Sequence, residues 1–231
     1  MLRKVLIANR GEIAIRVIRA CHALGVKAVM VYSTADRESR AVRLADEAYC
    51  IGEPEARLSY LDGDKIIAAA LACGADAIHP GYGFLSENSA FAQKAKDAGL
   101  VFVGPNGAAI DAMGDKINSR RCMVKAGVPV IPGIERDSFT KAELVAAAKE
   151  IGYPVMLKAT AGGGGKGIRI IAEESELWSA YERSVSEAQK AFGNGTIFVE
   201  KAVEEPHHIE FQIFGDQHGN VVHLFERECS V

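Results

Sequence analysis

Residues 159–171 read ATAGGGGKGIRII: four consecutive glycines, a lysine, a fifth glycine and a β-branched run. Glycine loses more conformational freedom on folding than any other residue, so a run of glycines needs a specific reason. Three reasons are common: a tight turn, a backbone that approaches a ligand closely, and a flap that opens and closes over one. The rest of the sequence has to decide among them.

Two familiar phosphate-binding motifs do not account for this glycine run. A P-loop reads glycine, four residues, then Gly-Lys-Ser/Thr. Counting back from Gly165 and Lys166 puts Thr160 at the first glycine position and Gly167 at the hydroxyl position. The fingerprint GxGxxG is formally met from Gly162 onward, but a dinucleotide-binding loop leads from a strand into a helix. Here a β-branched strand follows, so the match is accidental.

A strand–glycine loop–strand hairpin is the remaining interpretation. Backbone N–H groups without side chains can wrap an anion, and such a loop can also close over it. The alternative is a long surface turn flanked by the solvated lysines Lys158 and Lys166. Other segments favour the anion site. TIFVEKAVEE places Glu200 and Lys201 at a strand end, where a carboxylate and backbone groups can meet a purine edge, and MGDK opens a helix with Lys116.

Composition narrows the class of protein. The chain has 231 residues, 48% of them hydrophobic and 25% charged, with a net charge of −3. No basic tract stands out, which argues against nucleic acid or an anionic membrane as the main partner. The apolar N-terminal run, residues 5–8, is too short for a signal peptide or a membrane span. Five cysteines without CxxC spacing indicate reduced thiols, and we expect a cytoplasmic protein.

Strand and helix signals alternate in the first half of the chain. This pattern predicts βαβ units and a parallel, doubly wound, Rossmann-like sheet over residues 1–113. The predicted strands are 4–8, 27–33, 76–81 and 100–104, and the predicted helices are 12–24, 61–73 and 88–98.

The pattern changes after a connecting helix, 115–126, and the Pro/Gly-rich stretch 127–133. We expect a linker over 114–130, a lid over 131–203 and the start of a further subdomain over 204–231. The predicted lid helices are 141–151 and 175–191, and its strands are 154–159, 167–171 and 196–202. Residues 207–216 and 221–228 predict a hairpin with its turn at Gly219-Asn220.

Several longer segments carry a specific resemblance. The chain is similar to biotin carboxylase, the ATP-grasp component of acetyl-CoA, pyruvate, propionyl-CoA and methylcrotonyl-CoA carboxylases. The similarity covers the whole chain but only the N-terminal half of that family's module, so we expect a truncated C-terminal ATP-grasp subdomain. The segments are IANRGEIAIRVIRAC (7–21), LADEAYCIG (44–52), AIHPGYGFLSEN (77–88), FVGPNGAAIDAMGDK (102–116), AGVPVIPG (126–133), GYPVMLKATAGGGGKGIRI (152–170) and HIEFQIFGD with HLFERECSV (208–231).

The resemblance implies an ATP site. Two lysines would contact the phosphates and base, the glycine loop would close over the phosphates, and an isoleucine would pack on the purine. Four residues at the strand end would line the adenine, two of them through backbone groups, and a histidine would lie beside the ribose. These residues are Lys116, Lys158, Gly162, Gly163, Gly164, Gly165, Lys166, Ile168, Glu200, Lys201, Ala202, Val203 and His208.

The resemblance also implies the reaction. MgATP phosphorylates bicarbonate to carboxyphosphate, and biotin on a carboxyl carrier protein is then carboxylated for a carboxyltransferase. We expect the catalytic and magnesium-binding residues to follow residue 231, the fragment alone to be catalytically incomplete, and the full-length enzyme to be a homodimer in the cytoplasm, or in the mitochondrial matrix of a eukaryote. Two alternatives stay open: another ATP-grasp ligase, of the carbamoyl phosphate or purine-pathway type, and a non-catalytic dimerisation or scaffold module.

Other polar residues receive structural interpretations. His79 in HPGYG is expected to organise a turn, because no second ligand with metal spacing lies near it. His207 and His208 lack HExxH spacing. Asp36 follows the second strand, where a Rossmann enzyme binds ribose, but the turn NRGE has one glycine where the fingerprint needs three.

Overall fold

Five short apolar strands and the helices between them build the N-terminal part of the protein. The structure, a computed structural model, describes residues 2–114, 116–136, 138–160, 168–216 and 218–230. The chain divides into two compact units, 1–115 and 116–231. In the first unit the strands are β1 (Lys4–Ile7), β2 (Lys27–Ser33), β3 (Glu47–Gly52), β4 (Ala77–His79) and β5 (Val101–Phe102), and the helices are α1 (Gly11–Ala23), α2 (Arg40–Leu44), α3 (Gly63–Ala72), α4 (Ser89–Asp97) and α5 (Gly107–Gly114).

All five strands of the first unit are parallel, in the order β3-β2-β1-β4-β5. The prediction of a Rossmann-like doubly wound sheet is therefore confirmed. Strand β1 shows how the sheet acquires two cores, because successive side chains point to opposite faces. Leu6 packs with Tyr60 on one face, whereas Val5 and Ile7 pack with Ile18 of α1 on the other.

The turn after β4 is held by two side chains, one at the end of β4 and one just after β1. His79 Nδ1 accepts a hydrogen bond from the Gly81 N–H at 3.0 Å, and burial lowers the pKa of His79, which favours the neutral, accepting ring. The Asn9 amide donates to the carbonyls of Pro80 and Tyr82 at 2.7 and 2.8 Å. The prediction that His79 organises this turn is confirmed.

The second unit contains a four-stranded antiparallel sheet in the order β6-β9-β7-β8. Helices α7 and α8 cover one of its faces, where Leu144, Val155, Leu157, Leu177 and Val199 are fully buried. We call this sheet with its two helices the lid sheet. Its elements, with the helix that precedes them, are α6 (Lys116–Lys125), β6 (Gly133–Glu135), α7 (Lys141–Ile151), β7 (Val155–Ala159), β8 (Ile168–Ile171), α8 (Glu174–Phe192) and β9 (Ile197–Lys201).

The opposite face of the lid sheet carries a different set of side chains. Burial alternates along β7, with Val155, Leu157 and Ala159 buried and Met156 and Lys158 half-buried. Residues paired across antiparallel strands share a face. The register therefore defines a second face of the lid sheet, made of Met156, Lys158, Ile168, Ile170, Phe198 and Glu200.

The chain then forms a terminal hairpin, β10 (Ile209–Gly215) and β11 (Val221–Glu228), in a separate two-stranded sheet. Gly219 lies in the turn with φ +90°, as predicted, and the Asp216 carboxylate accepts from the N–H groups of His218 and Asn220. All residues of both strands are exposed or half-buried. Large apolar side chains are among those exposed: Ile209, Phe211, Ile213, Phe214, Val221, Val222, Leu224 and Phe225.

Some elements were not predicted. Strand β3 is an edge strand with mixed polar and apolar residues, and β6 is a three-residue strand next to the Pro/Gly-rich stretch. Both form because a neighbouring strand pairs with them, which local sequence does not reveal. The predicted helix 115–126 corresponds to α6, which belongs to the second unit. The finer division into 1–113, 114–130, 131–203 and 204–231 stays a prediction.

Candidate functional site

A lysine and a buried carboxylate meet on the second face of the lid sheet. Lys158 on β7 forms an ion pair with Glu200 on β9. Glu200 is only 8% exposed, whereas the Lys158 side chain is 36% exposed. A buried carboxylate needs a partner, and Lys158 provides it. The contact also fixes the direction of the Lys158 ammonium, just before the glycine run.

Apolar side chains flank this ion pair. Ile168 stands directly opposite Lys158 in the β7–β8 register, and Ile170 stands opposite Met156. Ile168 and Ile170 are 43% and 61% exposed. A flat apolar surface beside a cation suits a ligand that combines a ring with negative charge.

The strand end that follows Glu200 is firmly anchored. The Lys201 ammonium donates to the carbonyls of Gly152 and Tyr153 at 3.0 and 2.7 Å. The Lys201 N–H donates to the Pro132 carbonyl at 2.8 Å. Lys201 therefore joins β9 to the turn before β7 and to the segment before β6, and its side chain is already bound by backbone.

The two residues after Lys201 differ in exposure. Ala202 is buried, and its N–H donates to the Pro154 carbonyl at 3.0 Å. Val203 is 47% exposed. The four predicted adenine-lining residues are thus consecutive at one end of β9: Lys201 and Ala202 are bound to backbone carbonyls, Glu200 is paired with Lys158, and Val203 is exposed.

The sequence interpretation missed Arg120 on α6. Its guanidinium donates to the carbonyls of Ile131 and Gly133 at 2.6 and 3.5 Å, and it lies 5.5 Å from the centroid of the Phe198 ring. Phe198 pairs with Lys158 across the lid sheet. One signal was available: Arg120 follows Lys116 by four residues in a predicted helix, the spacing at which helical side chains are neighbours.

Gly133 is required by the packing beside Arg120. A Cβ atom there would lie 2.7 Å from the Phe198 ring, 2.9 Å from Glu200 Cβ and 2.9 Å from the Val199 carbonyl oxygen. Such distances are too short for any side chain, so only glycine lets β6 approach β9 this closely.

The remaining predicted residues lie elsewhere or outside the described residues. Gly162, Gly163, Gly164, Gly165 and Lys166 are outside the described ranges, and Lys116 begins α6 without a described side chain. His208 lies on the terminal hairpin rather than on the lid sheet. Its N–H donates to Ser230 Oγ at 2.6 Å, and its ring lies 3.7 Å from Glu210.

Glu210 carries the main charge cluster of the terminal hairpin. Hydrogen bonds from Cys229 and Arg227 hold the pKa of Glu210 below its usual range, and the Arg227 guanidinium lies 3.0 Å from the Glu210 carboxylate.

Within the described ranges, no group of three or more His, Cys, Asp or Glu side chains has the arrangement of a metal site. None of the described helices is both long and apolar enough to span a bilayer.

The position at which a Rossmann enzyme binds ribose is filled by protein. Asp36 accepts hydrogen bonds from Tyr60 and Ser33 at 2.7 and 2.8 Å. Burial and the bond to Asp36 raise the pKa of Tyr60 to about 12. The carboxylate thus serves an internal network.

Comparison with known proteins follows the division into two units. Residues 1–110 match the family described as biotin carboxylase, N-terminal domain, and residues 115–231 match that described as carbamoyl-phosphate synthase L chain, ATP binding domain. The chain is 53% identical to a pyruvate carboxylase subunit of Methanothermobacter thermautotrophicus over 231 residues, covering 100% of this chain and 47% of the relative. It is 53% identical to the biotin carboxylase of Nostoc sp., covering 99% of this chain and 51% of the relative.

Solved structures agree with these relatives. The biotin carboxylase domain dimer of 2-oxoglutarate carboxylase from Hydrogenobacter thermophilus, in complex with MgADP, ADP and bicarbonate, is 52% identical with a TM-score of 0.87, over 100% of this chain and 51% of that one. A Campylobacter jejuni biotin carboxylase–β,γ-ATP complex is 47% identical with a TM-score of 0.89, over 100% and 52%. The chain thus spans about half the length of the relatives it matches.

Proposed function

Because the chain belongs to the biotin carboxylase family, whose N-terminal half it matches, we propose that it supplies the nucleotide lid of an ATP-dependent biotin carboxylase. The Lys158–Glu200 ion pair on the second face of the lid sheet carries the proposal. The ion pair fixes the direction of the Lys158 ammonium four residues before the first glycine of the run. The similarity of the chain to a biotin carboxylase covers 99% of its length.

Each part of the site has a proposed role. Lys158 meets the phosphates as a compact positive charge that can follow negative charge as it moves during phosphoryl transfer. Glu200 holds Lys158 in that direction. Ile168 packs on the purine, Val203 lines its edge, and the glycine loop closes over the phosphates. Lys116 and Lys166 add charge on the phosphate side, and His208 lies beside the ribose.

The proposed reaction has two steps. A bicarbonate oxygen attacks the γ-phosphorus of ATP, the bond to ADP breaks, and carboxyphosphate forms. The carboxyl carbon then passes to a biotin nitrogen, which loses its proton, and inorganic phosphate leaves. Catalysis of phosphoryl transfer is mainly positioning and neutralisation of charge, which the lid supplies on one side of the nucleotide.

We propose that the other groups belong to the second half of the longer relatives. These are the ligands for magnesium, the groups that bind bicarbonate and biotin, and hence the catalytic residues. No step is assigned to a metal held by the described residues. The proposed partners are a biotin carboxyl carrier protein and a carboxyltransferase, and the proposed state of the complete enzyme is a homodimer in the cytoplasm.

The alternative ligase function is not favoured. Residues 115–231 match the ATP-binding domain of carbamoyl-phosphate synthase, which fits a lid shared among ATP-grasp enzymes. However, the N-terminal unit matches biotin carboxylase, and the relatives from Methanothermobacter and Nostoc are carboxylases that match over the whole chain.

Nucleotide titration of two lysine variants tests the proposal. Lys158→Ala is expected to weaken binding of a fluorescent ATP analogue about tenfold or more, because it removes a charge-assisted contact to phosphate. Lys141→Ala is the matched control, since Lys141 is exposed at the start of α7. Equal affinities for the two variants would remove the assignment of Lys158 to the nucleotide.

A further inference from the structure

Arg120 connects α6 to the first strand of the lid sheet. Its guanidinium donates to the Ile131 and Gly133 carbonyls, at 2.6 and 3.5 Å. These carbonyls flank Pro132, which has no N–H to donate, in the stretch GVPVIPG. Arginine presents several donors in a rigid planar fork, so one side chain can hold two carbonyls.

Strand β6 needs such a contact more than the other strands of the lid sheet do. It has three residues and lies at the edge of the lid sheet, paired on one side with β9. Short edge strands are held weakly by the sheet alone, because pairing on one side supplies few hydrogen bonds. Arg120 and the Lys201 N–H, which donates to the Pro132 carbonyl, are two polar contacts that hold the approach to β6.

A series of neighbouring side chains connects Arg120 to Lys158, the residue predicted to contact the phosphates. The guanidinium lies 5.5 Å from the Phe198 ring, a distance at which cation–π attraction applies. Phe198 closes over Gly133, where even a methyl group would clash with the ring and with Glu200. Glu200 in turn is paired with Lys158.

We propose that Arg120 is a positioning residue, which fixes β6 against β9 and thereby sets the direction of Glu200 and Lys158 toward the nucleotide. The expected effect on ATP affinity rests on the proposed function, whereas the fixing of β6 against β9 does not. Arg120 also joins α6 to the start of β6 and to Phe198 of β9.

Hydrogen exchange on the 231-residue chain without nucleotide tests whether Arg120 fixes β6 against β9. Arg120→Met keeps an unbranched side chain but removes the fork and the stacking. It is expected to speed exchange in residues 131–135 and 197–203 and to leave β1 and β2 unchanged. Lys125→Met, an exposed position on the same helix, is the matched control and is expected to change neither region. Arg120→Lys is expected to behave like Arg120→Met, because lysine keeps the charge but lacks the planar fork.

Titration with a fluorescent ATP analogue tests whether Arg120 affects ATP affinity. Arg120→Met is expected to weaken binding about tenfold, because hydrogen bonds to a charged group are lost and the contacts of Lys158 are loosened. If Arg120→Met does not fold, Phe198→Leu removes the ring beside the guanidinium but keeps both carbonyl hydrogen bonds of Arg120, and it is expected to give a smaller change in the same two regions.

The outcomes separate the two proposals. If the unsubstituted chain binds no ATP analogue, the proposed function fails, while the exchange data still decide whether Arg120 fixes β6. Unchanged exchange in residues 131–135 and 197–203 of Arg120→Met would overturn the inference. Unchanged ATP affinity in a chain that binds ATP, or full rescue by Arg120→Lys, would also overturn it.

Discussion

The lid sheet and the terminal hairpin are both antiparallel, yet among the residues that the structure describes only the lid sheet has a core. Leu157 and Val199 of the lid sheet are fully buried under α7 and α8, whereas Phe211 and Phe225 of the terminal hairpin are 61% and 69% exposed. An isolated two-stranded hairpin is marginally stable in water, and a covering helix or further strands are needed for independent stability. Strand signals alone therefore do not show which segments form a complete folding unit.

This difference agrees with our proposal that the lid sheet contacts the nucleotide, whereas other parts of the active site belong to the second half of the longer relatives. The lid sheet has what it needs to fold and to present Lys158 and Glu200. The terminal hairpin carries apolar side chains that the described residues leave exposed, and the relatives are about twice as long as this chain.

Matched leucine substitutions give the largest expected contrast. Leu157→Ala should destabilise the lid sheet by about 2–5 kcal/mol, because a fully buried side chain leaves a cavity. Leu224→Ala on the terminal hairpin should cost less than about 0.5 kcal/mol, because that side chain is 58% exposed. Trp178 of α8 is the single tryptophan, so denaturation followed by its fluorescence reports on the lid sheet. Similar losses for both variants would show that the terminal hairpin is packed.

A glycine pair gives the next contrast. Gly133→Ala should cost about 1–3 kcal/mol in the same assay, because the added methyl group meets Phe198, Glu200 and backbone. Gly215→Ala, on β10 of the terminal hairpin, would place the added Cβ 3.8 Å from the Asn220 carbonyl oxygen, an ordinary contact, and it should be nearly neutral. If Gly133→Ala is as stable as Gly215→Ala, the close approach of β6 and β9 is wrong.

The sequence predicted the elements better than it predicted the site. Helices ending at glycine and strands with β-branched runs are local signals, so α1, α7, β7 and the terminal hairpin were anticipated. The pairing of Lys158 with Glu200 depends on the register of β7 against β9, which no local pattern encodes. Arg120 was missed because its hydrogen-bonding partners are backbone carbonyls. Every residue carries a backbone carbonyl, so the residue types do not indicate which carbonyls will accept.

Acid titration compares one carboxylate from each region. Hydrogen bonds from Thr140 lower the pKa of Glu143 at the start of α7, and hydrogen bonds from Asn220 lower the pKa of Asp216 in the hairpin turn. A lowered folded-state pKa means that the stabilisation is present above the unfolded pKa, about 4.3 for Glu and 3.9 for Asp. Both contributions should therefore begin to fall near those unfolded values and be fully lost only below the lowered folded-state pKa of each group.

Carboxyl-carbon NMR provides the measurement for this pair. Both groups should titrate below their ordinary values, and Thr140→Val, which removes the hydroxyl hydrogen bond but keeps the backbone N–H bond, should raise the pKa of Glu143 part of the way while leaving Asp216 unchanged. Titration of Glu143 that is unaffected by Thr140→Val would contradict the capping contact at the start of α7.

The most direct test of the account measures phosphate release from ATP by the purified 231-residue chain, with and without bicarbonate. We propose that the lid binds nucleotide on one side only and that the metal-binding and bicarbonate-binding groups belong to the second half of the longer relatives. Phosphoryl transfer requires metal ions and positioned reactants, so the chain should bind ATP weakly and release no additional phosphate when bicarbonate is added. Bicarbonate-stimulated phosphate release that disappears in Lys158→Ala would contradict this account, because the chain would then hold a complete active site.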